Sequence, residues 1–296
     1  MRILICGGNG QLGRDCHRVF QKNNHASCLD LPQLDITDPG SVRSGITACS
    51  PDLVINCAAF TNVDKCETEK ALAFKVNADG PANLARACSH INARLIHVST
   101  DYVFDGKKEL PASYSETDVP APLSVYGQSK LEGENQVKQN TDRYIIVRTA
   151  WLYGAGGGNF LKTMLGLSLA DPEREIKVVN DQFGSPTWSL RLALQIEKLV
   201  NVNAQGLYHA TSQGYCSWYE LAAFFLKKME VPHRIVPCST EAFPTPAMRP
   251  ENSILGNHRL KRENINIMTG WRHCVEQFVS RYRRELFEEI KQNMNL

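Results

Sequence analysis

The sequence predicts an α/β fold, a doubly wound parallel sheet followed by a smaller C-terminal substrate-binding lobe. Three observations support it. Short, nearly continuous apolar runs alternate with helical stretches through the first two-thirds of the chain, the pattern of a sheet covered on both faces. A glycine-rich turn separates the first run from the first helical stretch. After about residue 150 glycine, proline and aromatic residues become frequent, and long loops, a common place for binding, separate the helices.

Taken in order, residues 3–6 form an apolar run ending in glycines, and residues 11–21 read as helix. Residues 52–58, 94–99 and 144–148 read as strands. Between the first two of these, residues 71–89 are helical, with Pro81 marking a break. The second half offers helices at 190–200, 217–228 and 275–291, separated by loops at 153–158, 181–188 and 243–250. The composition shift divides the chain into a cofactor domain, residues 1–150, and a substrate lobe, residues 151–296, parts of which return to the first. No internal repeat or low-complexity segment interrupts this order.

Composition narrows the partners. Of 296 residues 43% are hydrophobic and 22% charged, enough for a sizeable core. The net charge is only +2, from 33 basic and 31 acidic residues, so neither nucleic acid nor an anionic membrane surface is expected as a partner. No apolar run approaches the ~18 residues of a membrane span, and residues 1–7 read as a buried strand rather than a secretory leader. None of the ten cysteines forms a C-x-x-C pair. Reduced, buried thiols in a cytoplasmic protein are expected, and no metal ligand set.

The chemistry begins at the glycine turn. Gly7, Gly10 and Gly13, with Asn9, Gln11 and Leu12 between them, give the spacing G-x-x-G-x-x-G between strand and helix. Such a turn lets backbone approach a pyrophosphate at the positive end of a helix, the arrangement of a Rossmann-type dinucleotide site. Asp30 stands 17 residues after Gly13 (30 minus 13), where an acid would bind the adenosine ribose 2′-hydroxyl and repel a 2′-phosphate. That leans toward NADH over NADPH, although Arg14 could offset the repulsion. Asp35 and Ile36 could hold the adenine edge.

Tyr126 and Lys130 are spaced i, i+4 on a helical stretch, residues 127–138, which puts both side chains on one face. An ammonium near a phenol stabilises the phenolate and lowers its pKa from about 10, so the tyrosine can pass a proton to a carbonyl oxygen. Ser99-Thr100 closes the preceding strand, where a hydroxyl could hold that oxygen.

With these features in this order the chain resembles the extended short-chain dehydrogenases, and among them the dTDP-4-dehydrorhamnose reductase family. The specific segments are Ser99-Thr100-Asp101-Tyr102-Val103-Phe104-Asp105-Gly106 and Asn180-Asp181-Gln182-Phe183-Gly184-Ser185-Pro186-Thr187, supported by residues 58–67, 148–154 and 244–250. The resemblance implies an NAD(P)H-dependent reduction of a 4-keto sugar linked to dTDP. It implies Thr100, Tyr126 and Lys130 as catalytic residues, and Ala58, Ala59 and Phe60 along the cofactor. Val63, Asp101, Tyr102, Trp151 and Arg249 would border the sugar nucleotide, Arg249 at its diphosphate. Sister dehydratases carry Asp-Glu after the threonine. Here Tyr102 follows Asp101, and a tyrosine is a poor base at neutral pH, so elimination is disfavoured. Some members dimerise through magnesium held by carboxylates, one of them just after Pro-Thr. Trp188-Ser189-Leu190 brings no acid there, so Mg2+ is not supported although Asp15 could serve as a ligand; monomer and homodimer both stay open. Two alternatives to the rhamnose reaction remain: another nucleotide-sugar 4-ketoreductase, or a non-catalytic regulatory subunit on the same scaffold.

Overall fold

A computed structural model describes residues 1–294. Six strands form one sheet: β1 (Arg2–Cys6), β2 (His25–Leu29), β3 (Leu53–Asn56), β4 (Arg94–Thr100), β5 (Tyr144–Thr149) and β6 (Gly206–His209). All pairings are parallel, in the order β6-β5-β4-β3-β1-β2. The strands have a side-chain period of two and both faces are dry. Ile3 and Ile5 of β1 enter one core while Leu4 and Cys6 enter the other. From β1 the chain runs outward to β2 and then crosses back to β3. The carboxyl ends of β1 and β3 therefore flank the point where strand order reverses, the usual crevice for a ligand in an open α/β sheet.

The predicted strands and the helices at Gln11–Phe20, Val125–Asn140, Ser189–Asn201, Trp218–Met229 and Trp271–Met294 are present, with ends shifted by at most four residues. The Val125–Asn140 helix starts two residues before the expected Gly127 because the Ser124 hydroxyl accepts the Gly127 N–H at 3.2 Å and caps it. The expected helix at 71–89 is three pieces. Lys70–Phe74 is α-helical, Lys75–Asp79 forms one π-helical turn, and Gly80–His90 resumes with Pro81 in its first turn, where a missing N–H costs nothing.

The second half does not stand apart. β6 extends the sheet beside β5, and residues as distant as Ile3 and Phe278 share one core. Three short strand pairs frame its loops: Glu175–Val179 with Arg234–Cys238, Leu152–Tyr153 with Thr187–Trp188, and Phe183–Gly184 with Cys216–Ser217. All ten cysteines are free. Six are buried, but Cys28 is exposed and Cys49, Cys57 and Cys238 half-buried, so the expectation of buried thiols fails at four positions, Cys49 at the end of a helix and the other three within or just after strands. Among the described residues no helix is long and apolar enough to cross a membrane.

One buried ion pair ties the Val125–Asn140 helix to the sheet. Arg148 of β5 donates two hydrogen bonds of 2.7 Å each to the Glu134 carboxylate, and both side chains are essentially without solvent contact. Ser99 of β4 donates a third, also 2.7 Å. The guanidinium stacks on Phe104 at 5.1 Å, and Phe104 stacks on Tyr114 at 4.3 Å. Glu134→Gln leaves the buried guanidinium without its counter-charge, so it should lower unfolding free energy by about 3–5 kcal/mol. Urea denaturation measures this; a loss near zero would show that the pair anchors nothing.

Candidate active site

The crevice holds a cavity of about 460 Å³. Gly10, Gln11, Leu12 and Gly13 form one wall, and Val98, Ser99, Thr100, Asp101, Tyr126 and Lys130 form the floor. Ala59, Val63 and Tyr102 close one flank, and Trp151, Phe160, Trp218 and Leu221 the other. The chain thus brings the three catalytic candidates and half of the glycine loop around one space.

The glycine loop is fixed by close packing. Gly7 has φ +74°, and a Cβ on Gly13 would overlap the Gly7 carbonyl oxygen, so neither position accepts another side chain without distortion. No side chain caps the Gln11–Phe20 helix, which leaves its first N–H groups free for an anion. These features fit the pyrophosphate of a dinucleotide. Asp30, at the end of β2, accepts the Asn9 N–H at 3.1 Å, which places its carboxylate at the loop's mouth. Arg14 also lies there, its Nε donating to the Asn9 carbonyl at 2.9 Å.

Two adenine-side candidates take other roles. Asp35 turns its carboxylate onto Thr37, accepting the Thr37 N–H and hydroxyl at 2.8 Å each, which holds its pKa below the usual value. Ile36 is buried in the core, and its carbonyl accepts from Asn83 at 3.0 Å. Neither lines the cavity. Ala58 N–H donates to Asn56 (3.1 Å), and Phe60 is clasped through both backbone groups by Asn77, at 2.8 and 3.0 Å. Asn77 sits on the π-helical turn and also donates to Ser129 of the Val125–Asn140 helix at 3.0 Å.

Arg249 is also engaged elsewhere. Its guanidinium forms a two-pronged pair with Asp64, at 2.8 and 3.2 Å, and does not line the cavity. The pair ties the 244–250 loop to the short Val63–Thr68 helix, so one edge of the guanidinium is already taken by a carboxylate.

The Lys130 ammonium donates to the Val98 carbonyl at 2.7 Å, and burial pushes its pKa down to about 8. The expected lowering of the Tyr126 phenol does not occur: burial dominates and raises its pKa, so the group stays protonated across the neutral range. Tyr102 packs edge-on against Tyr126, 5.5 Å between centroids. Thr100 donates its hydroxyl hydrogen to Asp101 Oδ1 at 2.9 Å, while Asp101 Oδ2 has no hydrogen-bond partner among the described residues. Burial raises the Asp101 pKa to about 6.

Sequence reading missed Phe160, Trp218 and Leu221. Ser217 and Glu220 form a capping box, a signal for the start of the helix but not for its position over the cavity.

The RmlD substrate binding domain family matches residues 1–284. The chain belongs to it. Among named relatives, a dTDP-4-dehydrorhamnose reductase of Streptomyces griseus is 41% identical over 284 residues, 93% of this chain and 92% of that one. A crystal structure of a dTDP-4-dehydrorhamnose reductase from Clostridium acetobutylicum superposes with TM-score 0.91 at 43% identity, covering 95% and 99% of the two chains. One from Bacillus anthracis, in complex with NADP, gives TM-score 0.91 at 39% identity with the same coverage.

Asp101 offers a test of this electrostatic picture. With its folded pKa near 6 and its unfolded pKa near 3.8, the native chain binds the extra proton in between. The penalty is therefore absent below the unfolded value and complete above about pH 6. Asp101→Asn should stabilise the protein by roughly 1–3 kcal/mol at pH ~7.5 and by little at pH ~4. Denaturation midpoints of both proteins at the two pH values check this, and an equal effect at both would overturn it.

Proposed function

We propose that this chain reduces the 4-keto group of dTDP-4-dehydro-L-rhamnose to dTDP-L-rhamnose, using NADPH or NADH. The observation that carries the reading is the convergence of Thr100, Tyr126 and Lys130 on one cavity continuous with the glycine loop. Membership of a family several of whose named relatives are dTDP-4-dehydrorhamnose reductases supports it.

The nicotinamide cofactor supplies the hydride when bound. The protein's own residues supply the proton and the alignment. Tyr126, protonated in its buried setting, donates to the sugar oxygen as charge develops there. Lys130 holds a positive charge beneath that site, and the fixed Val98 carbonyl limits its movement. Thr100 steadies the reacting oxygen, which competes with Asp101 for the hydroxyl hydrogen. Tyr102 beside Asp101 leaves no second carboxylate for elimination.

Residues 1–150 hold the cofactor in this reading, and 151–296 supply most of the sugar-nucleotide contacts. Asp30 at the loop's mouth favours a free 2′-hydroxyl, so NADH serves at least as well as NADPH. We assign no magnesium: Asp15 accepts a hydrogen bond from Ser189, and the residues after Pro186-Thr187 bring no acid.

The direct assay feeds dTDP-4-keto-6-deoxyglucose with and without a 3,5-epimerase and follows oxidation of the reduced nicotinamide. Turnover that requires the epimerase supports the rhamnose reaction; turnover without it assigns another 4-ketoreductase, and none in either case points to a non-catalytic subunit. Tyr126→Phe should keep cofactor affinity and lose about 10²–10⁴-fold in kcat; wild-type turnover would remove Tyr126 from the chemistry. kcat/KM for NADH should equal or exceed that for NADPH, and a strong NADPH preference would refute the role of Asp30.

A further inference from the structure

Trp151 has an unusual backbone for a bulky residue, φ +47°, in the left-handed region. Such a conformation persists only where the surroundings impose it. Three contacts do so. The Thr187 N–H donates to the Trp151 carbonyl at 3.2 Å, while Leu152–Tyr153 pairs with Thr187–Trp188. The indole rests against Gly184, where a Cβ would overlap its ring. Trp218 stacks on it face to face, centroids 3.5 Å apart and planes 4° apart.

These contacts come from a single frame. Gly184 pairs with Cys216 in a short antiparallel ladder, and the next residues of that second strand, Ser217 and Trp218, begin a helix. A reciprocal capping box fixes that start: Ser217 accepts the Glu220 N–H at 3.1 Å and Glu220 accepts the Ser217 N–H at 2.9 Å. The Trp218 indole therefore has a rigid base. Phe160 also packs against it, tilted, at 4.6 Å. The segment Phe183-Gly184-Ser185-Pro186-Thr187, specific in sequence but without an assigned task, supplies both Gly184 and Thr187.

We propose that Trp218 is a positioning residue for sugar recognition, holding Trp151 in its left-handed conformation so that the indole forms a fixed apolar wall for the deoxysugar. The inference rests on the sugar-nucleotide reading above. At 3.5 Å separation nothing fits between the rings, so the sugar meets the stacked pair from outside and finds one pre-formed surface. Trp218 stacks directly on Trp151, whereas it meets the glycine loop at one remove, through Phe160 and its neighbour Asn159, whose amide donates to Gln11 at 3.0 Å, so its effect should fall first on the sugar nucleotide.

The test uses the full-length wild type, Trp218→Ala and the conservative Trp218→Phe. Two stacked indoles give an exciton couplet in circular dichroism, which reports the pair without any turnover. The couplet should be present in the wild type and lost in both variants. In Trp218→Ala the KM for the sugar nucleotide should rise about three- to tenfold with cofactor Kd unchanged. Trp218→Phe, which keeps an aromatic face under Trp151, should recover most of that affinity. An active, folded Trp218→Ala with unchanged KM overturns the proposal, as does a loss shared equally by cofactor and sugar. If Trp218→Ala fails to fold, Trp218→Phe and Trp218→Leu decide: the leucine variant must show the raised KM and the phenylalanine variant must not. A wild type with a couplet but no ketoreductase turnover tells against the functional reading, whereas an active enzyme indifferent to residue 218 tells against this proposal alone.

Discussion

The carboxylate of Glu134 is the joint on which the site depends. It lies on the helix that carries Tyr126 and Lys130, at the next i, i+4 step, and is gripped by side chains from two adjacent strands. A helix can slide or rotate on a sheet of aliphatic residues at little cost, because dispersion contacts have no direction. A two-pronged guanidinium–carboxylate pair has direction, and here it sits where water cannot compete. It therefore fixes the rotation of the helix, and with it where the phenol and the ammonium enter the cavity. The clasp of Asn77 on Phe60 and Ser129 holds the other side of the same helix.

Burial then acts on each titratable group of the floor in the same sense. It raises Asp101 and Tyr126 and lowers Lys130, so each is drawn toward its neutral form. For a reductase this is coherent: a phenol that keeps its proton is a donor ready for an oxygen about to become negative. Lys130 keeps its charge at neutral pH because its fall stops near 8, with Glu134 opposing the cost of burial.

What the sequence made legible follows from how locally each feature is determined. β1, β3, β4 and β5 were readable because strands buried on both faces must be apolar throughout. The Pro39–Cys49 helix was not, since its composition of proline, glycine and serine has poor helix propensity. It forms because Asp38 caps it and Val42 and Ile46 find a core. At the site, Gly7 to Gly13, Thr100, Tyr126 and Lys130 could be placed because each occupies a defined offset on a single element. Arg249 could not, because its partner Asp64 is 185 residues away and either partner looks like a surface charge until the loop is folded. Trp218 was hidden for the same reason: nothing in Ser217-Trp218 points to Trp151.

The sixth strand joins the two halves that the change in composition near residue 150 suggests. β6 is built from residues 206–209, yet it covers the outer edge of β5, the strand that supplies Arg148. A ribosome that has produced only the first half has made five strands whose last edge is bare and one of whose faces lacks its helical cover. Such an edge is a template for pairing with a neighbouring chain. Completion of the sheet thus waits for the second half to be synthesised, because residues 1–150 alone leave the outer edge of β5 uncovered.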